Sequence, residues 1–391
     1  MTDILQYKCL GHRCKDSKKN NKLPITLNKF KRREKYVQLK SETRYCIVKW
    51  GQRKLLLTCL QFLNIAVRKY KEKYDKEELL VLYVGAGDGT NIYVLSKMFP
   101  KLKFDLFDDH FDEKLLRQRK NIHLFIRYFT HEDAENYKSK GKNLIFISDI
   151  RTTYDKEGEP SNFDVYDNSL KQLDWIYTIK PLLSHLKFRC LFNTEIFKIK
   201  DYAYDLHKKL YNDGLSKTEI EKLFPNELTY NVGKIFLQPW TGPTSSEARL
   251  FIKRKDLGKM KKYDSVDYEN AMFALNQVRQ QEHFEKTIDN LCDCFDCNLE
   301  YHIIRKYLKL MKLPINKAND FSIYFNYILR VPYKSFKLKN KNNFDIKGLM
   351  MQPHKQLKDL NKIQHKFIHL FIVGHEKYKD TDFIKLFENI L

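Results

Sequence analysis

A chain of 391 residues with 42% hydrophobic content can hold one large domain or two and can bury a real core. Lys and Arg total 72 against 49 Asp and Glu. The resulting net charge of +23 excludes a charge-neutral surface and favours a polyanionic partner, whose phosphates attract clustered cations. No segment approaches the ~20 apolar residues of a membrane span. The N-terminus lacks an apolar signal core, and 8 irregularly spaced cysteines do not make a disulfide framework, so a soluble intracellular protein is expected.

Residues 1–44 carry Lys18-Lys-Asn-Asn-Lys22 and Lys29-Phe-Lys-Arg-Arg33 and read as a mobile basic arm. From 52 to about 70, Leu55, Leu56, Leu60, Leu63 and Val67 recur at helical spacing. A buried strand follows at 78–84 and a helix at 91–98, then strands at 102–107, 122–126 and 144–148. A long helix is expected from about 165 to 183, with later strands at 185–190, 234–237 and 249–252. Residues 199–232, charged and rich in Tyr, read as a helical insertion within a domain spanning 45–282. Residues 283–391 read as a mainly helical accessory region interrupted at Pro314, Pro332 and Pro353. Strands alternating with helices argue an α/β domain with a mainly parallel sheet and a ligand site at the carboxyl ends of its strands. Cys292, Cys294 and Cys297 cluster near His302 but lack a fourth ligand and paired CxxC spacing, so they read as reduced cysteines and no metal is expected.

The loop Val84-Gly-Ala-Gly-Asp-Gly-Thr90 follows the first strand. It is GxGxG; a dinucleotide fingerprint would want its third glycine at position 90, which is Thr. About 20 residues on, the next strand ends in Phe107-Asp108-Asp109, where a carboxylate can accept both hydroxyls of an adenosine ribose. A glycine loop with that acid resembles S-adenosylmethionine sites more than nicotinamide sites. Around it stand four further words: Trp50-Gly-Gln-Arg-Lys54-Leu-Leu-Leu, Ile147-Ser-Asp149-Ile-Arg, Leu186-Lys187-Phe-Arg-Cys-Leu-Phe192, and Leu237-Gln-Pro followed by Ser245-Ser-Glu247-Ala-Arg-Leu. Lys, Asp, Lys and Glu in that order resemble the catalytic set of RNA ribose 2'-O-methyltransferases. The flanking residues are similar to the poxvirus cap-specific mRNA 2'-O-methyltransferase family, whose member is also the small subunit of poly(A) polymerase. The resemblance covers about residues 45–280.

It implies an S-adenosylmethionine-dependent, Rossmann-like methyltransferase fold with a helical C-terminal extension. It implies Lys54, Asp149, Lys187 and Glu247 as catalytic residues, and a cofactor lined by Gln52, Gly85, Gly89, Asn91, Asp108, His110, Phe129 and Asp149. Asn91 and His110 stand where the family has His and Arg. A ribose hydroxyl needs its proton removed before it can attack a methyl group, and a lysine serves as that base only with a lowered pKa. Lys187 is the candidate base, Lys54 the second cation beside it, and Asp149 and Glu247 the groups that orient them. For a capped RNA, the resemblance implies N7-methylguanine stacked on Phe192 with Glu269 accepting from its N–H groups. The second carboxylate position falls on Thr194, and either Tyr36 or Tyr45 is near the place of the opposing ring. Arg189 and Arg249 are expected phosphate partners. Capped mRNA is the expected substrate, a poly(A) polymerase catalytic subunit the expected partner, and the host cytoplasm the expected location. A processivity subunit that clamps RNA, and a small-molecule methyltransferase, are the competing functions; the charge and the paired lysines argue against the last.

Overall fold

The computed structural model describes residues 22–36, 50–152, 160, 162–192, 227–242, 245–281, 284 and 295–329. Helix α1 (Trp50–Lys69) leads into β1 (Leu80–Val84), α2 (Thr90–Met98), β2 (Lys103–Asp108), β3 (Ile122–Ile126), α3 (His131–Tyr137), β4 (Leu144–Ser148), α4 (Asn162–Ile179) and β5 (Leu183–Phe188). After these come β6 (Glu227–Asn231), β7 (Lys234–Phe236), β8 (Ala248–Lys253), β9 (Met260–Asp264), α5 (Ser265–Gln281), α6 (Phe295–Leu310) and α7 (Ala318–Ile328). Seven strands form one sheet in the order β3-β2-β1-β4-β5-β8-β7. The first five are mutually parallel, whereas β8 runs against both β5 and β7. This is the mainly parallel α/β sheet expected from the sequence.

The central strands are apolar throughout because helices cover both faces of the sheet. Every residue of β4 is buried, as are Val81 to Val84 of β1. α1 meets the sheet through Cys59, 3.7 Å from the Tyr83 hydroxyl, and Phe62, stacked on His185, while Leu56, Leu60, Leu63 and Val67 are buried at helical spacing. The order of the strands reverses between β1 and β4, so the connections leaving their carboxyl ends diverge to opposite sides and leave a crevice. The glycine loop, Asp108 and Asp149 all sit at that end of the sheet.

Four expectations change. The long helix stops at Ile179 because Pro181 cannot continue it and Lys180 takes a left-handed φ of 53°; β5 then begins at Leu183. Residues 227–231, within the expected helical insertion, form a strand paired with β9; residues 199–226 lie outside the described residues. Residues 22–36 of the basic arm are packed, with Leu27 and Phe30 buried and Thr26 bridged to Phe236 at the sheet edge. Arg33 pairs with Asp267 at 2.6 Å, and the Tyr36 N–H donates to Asn270 Oδ1 at 3.1 Å. Finally, α6 and α7 join the core of the sheet domain instead of standing apart. Among their links is the ion pair of Arg53, on the first turn of α1, with Glu300 on α6, at 2.6 Å with neither side chain exposed. The expected break at Pro314 falls between α6 and α7; Pro332 and Pro353 lie outside the described residues.

Candidate active site

Four elements deliver one cluster. Lys54 projects from the first turns of α1, Asp149 follows β4, Lys187 sits near the end of β5, and Glu247 precedes β8. Lys54 Nζ lies 2.7 Å from Glu247 Oε1, and Lys187 Nζ lies 3.2 Å from Asp149 Oδ1 and 3.5 Å from Glu247 Oε2. The register of β5 against β8 sets Lys187 opposite Arg249, so both side chains emerge on one face. Arg249 is 1% exposed and lies 2.6 Å from Asp149 Oδ1 and 3.2 Å from Glu247 Oε1. Its Nε donates to Gln238 Oε1 at 2.9 Å, and Gln238 Nε2 donates to the Glu247 carbonyl at 2.9 Å. Arg249 is therefore the floor of the cluster, where the sequence suggested a phosphate partner. Gln238, in the Leu-Gln-Pro word, is a further organising residue; the resemblance pointed to its segment without giving it a role.

The charges act on one another. Burial disfavours a proton on Lys187 and lowers its pKa; Asp149 and Glu247 oppose that shift, and Arg151 and Arg249 reinforce it. The cations that help to neutralise Lys187 are thus two arginines, whereas Lys54 is held by Glu247. Burial pushes the Asp149 and Glu247 carboxyls upward. Arg249 and Lys187 outweigh it at Asp149, and Lys187 and Lys54 do so at Glu247, leaving both acids below the ordinary carboxylate range. A lysine with a depressed pKa between two ionised carboxylates can accept a proton from a hydroxyl placed beside it.

The glycine loop lies next to this cluster. Gly85 has φ 78°, and a Cβ there would stand 3.0 Å from the backbone carbon of Asp149, so only glycine lets the two strand ends meet. Gly89 has φ 79° at the N-terminus of α2, where a Cβ would lie 2.4 Å from Leu116 Cδ1. The N–H groups of Gly87 and His110 donate to the two Asp108 carboxylate oxygens at 2.8 and 3.2 Å, which fixes the acid at the rim of the loop. The Asn91 amide donates to Gln52 Oε1 at 2.6 Å, while Asn91 Oδ1 is buried without a partner. Phe129 is buried against Phe107 and Trp175 beyond the loop. These residues fit S-adenosylmethionine: open space beyond the Gly87 backbone, a fixed carboxylate for a ribose, and an unsatisfied carboxamide oxygen for an amine.

Further along, Asn162 clamps the backbone of Phe192, its Oδ1 accepting the N–H and its Nδ2 donating to the carbonyl, both at 2.9 Å. The Arg189 guanidinium stacks 3.9 Å over the Phe192 ring and donates to the Cys190 and Pro160 carbonyls. Arg189 is buried, so it too builds the site where a phosphate contact was expected. Glu269 on α5 is buried, and desolvation pushes its carboxyl up to about 7, with Arg189 opposing. Asn270, the next residue, holds the backbone of Tyr36, whose ring meets Phe273 edge-on at 5.4 Å. Thr194 and Tyr45 lie outside the described residues, as do Cys292 and Cys294. Among the described residues no group of three or more His, Cys, Asp or Glu could hold a metal ion.

Residues 21–212 match the family described as poly A polymerase regulatory subunit. The matched stretch is just under half of the chain. It is 28% identical over 237 residues to the cap-specific mRNA (nucleoside-2'-O-)-methyltransferase of fowlpox virus, covering 58% of this chain and 66% of the relative. It is 26% identical over 282 residues to the protein of the same name from myxoma virus (strain Lausanne), covering 68% of this chain and 70% of that relative. Among solved structures it is similar to bluetongue virus VP4, an RNA-capping protein, at 13% identity and a TM-score of 0.37, over 65% of this chain and 34% of that one. The residues of the site that the sequence left without a catalytic or cofactor role are Arg151, Asn162, Gln238 and Arg249. Arg249 carried a signal, its place two residues after Glu247 on the same strand face. Asn162 carried none, because its partner is a backbone thirty residues away.

Proposed function

We propose that this chain is a cap-specific mRNA 2'-O-methyltransferase that moves a methyl group to the ribose of the first transcribed nucleotide of a capped RNA. The observation that carries this reading is the convergence of Lys54, Asp149, Lys187 and Glu247, from four separate elements, within 2.7 to 3.5 Å beside the glycine loop. S-adenosylmethionine, when bound, supplies an electrophilic sulfonium methyl. Gly85 and Gly89 would let the backbone pass close to it, Asp108 would accept from its ribose, and Asn91 Oδ1, whose amide is held by Gln52 of α1, would accept from its amine. Lys187 Nζ takes the proton of the 2'-hydroxyl as the oxygen attacks. Asp149 and Glu247 orient Lys187, Glu247 holds Lys54 beside it, Arg249 and Lys187 keep Asp149 ionised, and Lys187 and Lys54 do the same for Glu247. Phe192 and Glu269 are the residues of this chain suited to a methylated guanine, by stacking and by accepting from its N–H groups. The deciding experiment is labelled-methyl transfer to short RNAs that differ only in the cap. Transfer to the capped RNA alone is expected; equal transfer to uncapped RNA would remove the cap from the reading, and none to either would remove the reaction.

A second role is favoured by the family description and by the +23 net charge: holding RNA for a poly(A) polymerase catalytic subunit in the host cytoplasm. That role needs basic surface and not the catalytic cluster, so the two coexist on one chain. No helix among the described residues is long and apolar enough to cross a membrane.

A further inference from the structure

At the opposite end of the sheet from the catalytic cluster lies a cavity of about 860 Å³, within the range of about 300–1,000 Å³ typical of small-molecule sites. Its walls are the second half of α1, the outer face of α6 and the sheet edge where residues 25–29 meet β7. Leu183 opens β5 and Lys253 closes β8, so the cavity stands at the starts of the parallel strands. α1 runs between the two places: Lys54 is at one end and Arg68 at the other, a rise of roughly 21 Å. Nothing in the catalytic reading uses this cavity.

Its lining is divided by chemistry. Ile65, Leu183 and Phe236 give an apolar floor, and Lys29, Arg68, Lys69, Lys234, Lys253 and Lys306 stand around it. Asp256 is the one acid in that lining, and Lys259 already engages it at 3.2 Å. Two carboxamides on α1 also line the cavity. Gln61 and Asn64 are both 6% exposed, and among the described residues Gln61 Oε1 and Asn64 Oδ1, both closed over by the wall, have no hydrogen-bond partner. Asn64 Nδ2 donates to the Ile303 carbonyl on α6 at 3.1 Å, which fixes its amide so that the free oxygen is an acceptor. A buried acceptor left unpaired costs about 1–3 kcal/mol, and two on one helix face are acceptors that a small opening of the wall would offer to a donor in the cavity.

We propose that this cavity binds a nucleoside phosphate, its base amine donating to Gln61 and Asn64 and its phosphate held by Arg68 and Lys306. Gln61, Asn64, Ile65 and Arg68 share one face of α1, and Gln61 to Arg68 is a rise of roughly 10 Å, the scale that separates an exocyclic amine from the phosphate of a mononucleotide. Lys306 meets that phosphate from α6. A bare anion would leave the two carboxamides and the apolar floor unused, and an apolar ligand would leave six cations unanswered. The same chemistry is offered by a free nucleotide and by one nucleotide of an RNA strand.

The test is isothermal titration of the full chain, saturated with S-adenosylhomocysteine so that the glycine loop is filled, with AMP, inorganic phosphate and a short oligoadenylate. AMP is expected to bind at one site and inorganic phosphate more weakly, by roughly tenfold or more for the lost base contacts. The double variant Arg68→Glu/Lys306→Glu changes two exposed side chains remote from the catalytic cluster, so its melting temperature and methyl transfer to a short capped RNA should match the parent. Its AMP affinity should fall by roughly tenfold or more. Tighter binding of oligoadenylate than AMP, lost in the same variant, would identify an RNA strand as the source, and the reverse a free nucleotide. Unchanged AMP affinity in the double variant, or no AMP binding to the saturated chain, would overturn the assignment. The variant comparison does not depend on what fills the glycine loop.

Discussion

Lys187 is a lysine asked to act as a base, and its surroundings decide whether it can. Burial and two arginines lower its pKa while two carboxylates raise it, and the lowering prevails. Lys187→Ala should reduce methyl transfer by ~100- to 10,000-fold, the usual loss for a positioned general base, with S-adenosylmethionine affinity unchanged by titration. Turnover near the parent rate would remove Lys187 from the mechanism. Because the neutral amine is the active form, single-turnover rates should rise with pH and level off below the ordinary lysine value of about 10.4; a rate that falls as pH rises would contradict a basic Lys187. Glu269 gives the opposite kind of dependence. Its pKa rises from 4.5 unfolded to about 7 folded, so the folded chain holds the extra proton in that interval and stability falls as pH climbs through it. Cap-analogue affinity should increase over the upper part of the same interval as the carboxylate forms. Glu269→Gln should flatten both curves, in chemical denaturation and in fluorescence titration.

Helix α6 shows how an element distant in sequence governs a site it does not enter. Its Glu300 pairs with Arg53, next to Lys54, and accepts from Trp240 Nε1 at 2.7 Å. Asp296, one turn earlier, accepts the Trp240 backbone N–H at 2.8 Å, holding a bulky residue at a left-handed φ of 60°. Trp240 lies in the loop between Gln238 and Glu247, so one helix seats two members of the cluster. Glu300→Ala strands a buried guanidinium, at a cost of about 3–5 kcal/mol, and should lower methyl transfer more than S-adenosylmethionine affinity. Equal loss of both would mean that α6 merely supports the fold. The strands and α1 were legible because burial imposes a period on them. β6 and β9 were not, since Glu227–Asn231 and Met260–Asp264 alternate weakly and carry charge. The place of α6 was illegible for another reason: an Arg–Glu pair 247 residues apart leaves no local pattern.

At the scale of the whole molecule, positive charge and catalysis are separable. The cations of the described surface lie largely outside the cluster, whose members are mostly covered. RNA affinity should therefore fall with salt at a slope near −0.7 for each phosphate neutralised on a single strand. Asp149→Ala should leave that slope unchanged in fluorescence anisotropy while stopping methylation; a changed slope would mean that the cluster itself carries the RNA. The candidate site was legible as four short words because each of its charged side chains needs its own local support. The floor beneath them was not, since Arg249 and Gln238 take their roles from a cross-strand register visible only once β8 pairs with β5. The grip of Glu300 on Arg53 and Trp240 also bears on the order in which the chain is made. A ribosome that has released only the first 290 residues has delivered all four catalytic side chains and the whole glycine loop, but not the carboxylate that seats Lys54 and the Glu247 loop. Translation halted there would yield a fragment with all four candidate catalytic residues and without the acids that seat them, so a formed site waits on Asp296 and Glu300 being made.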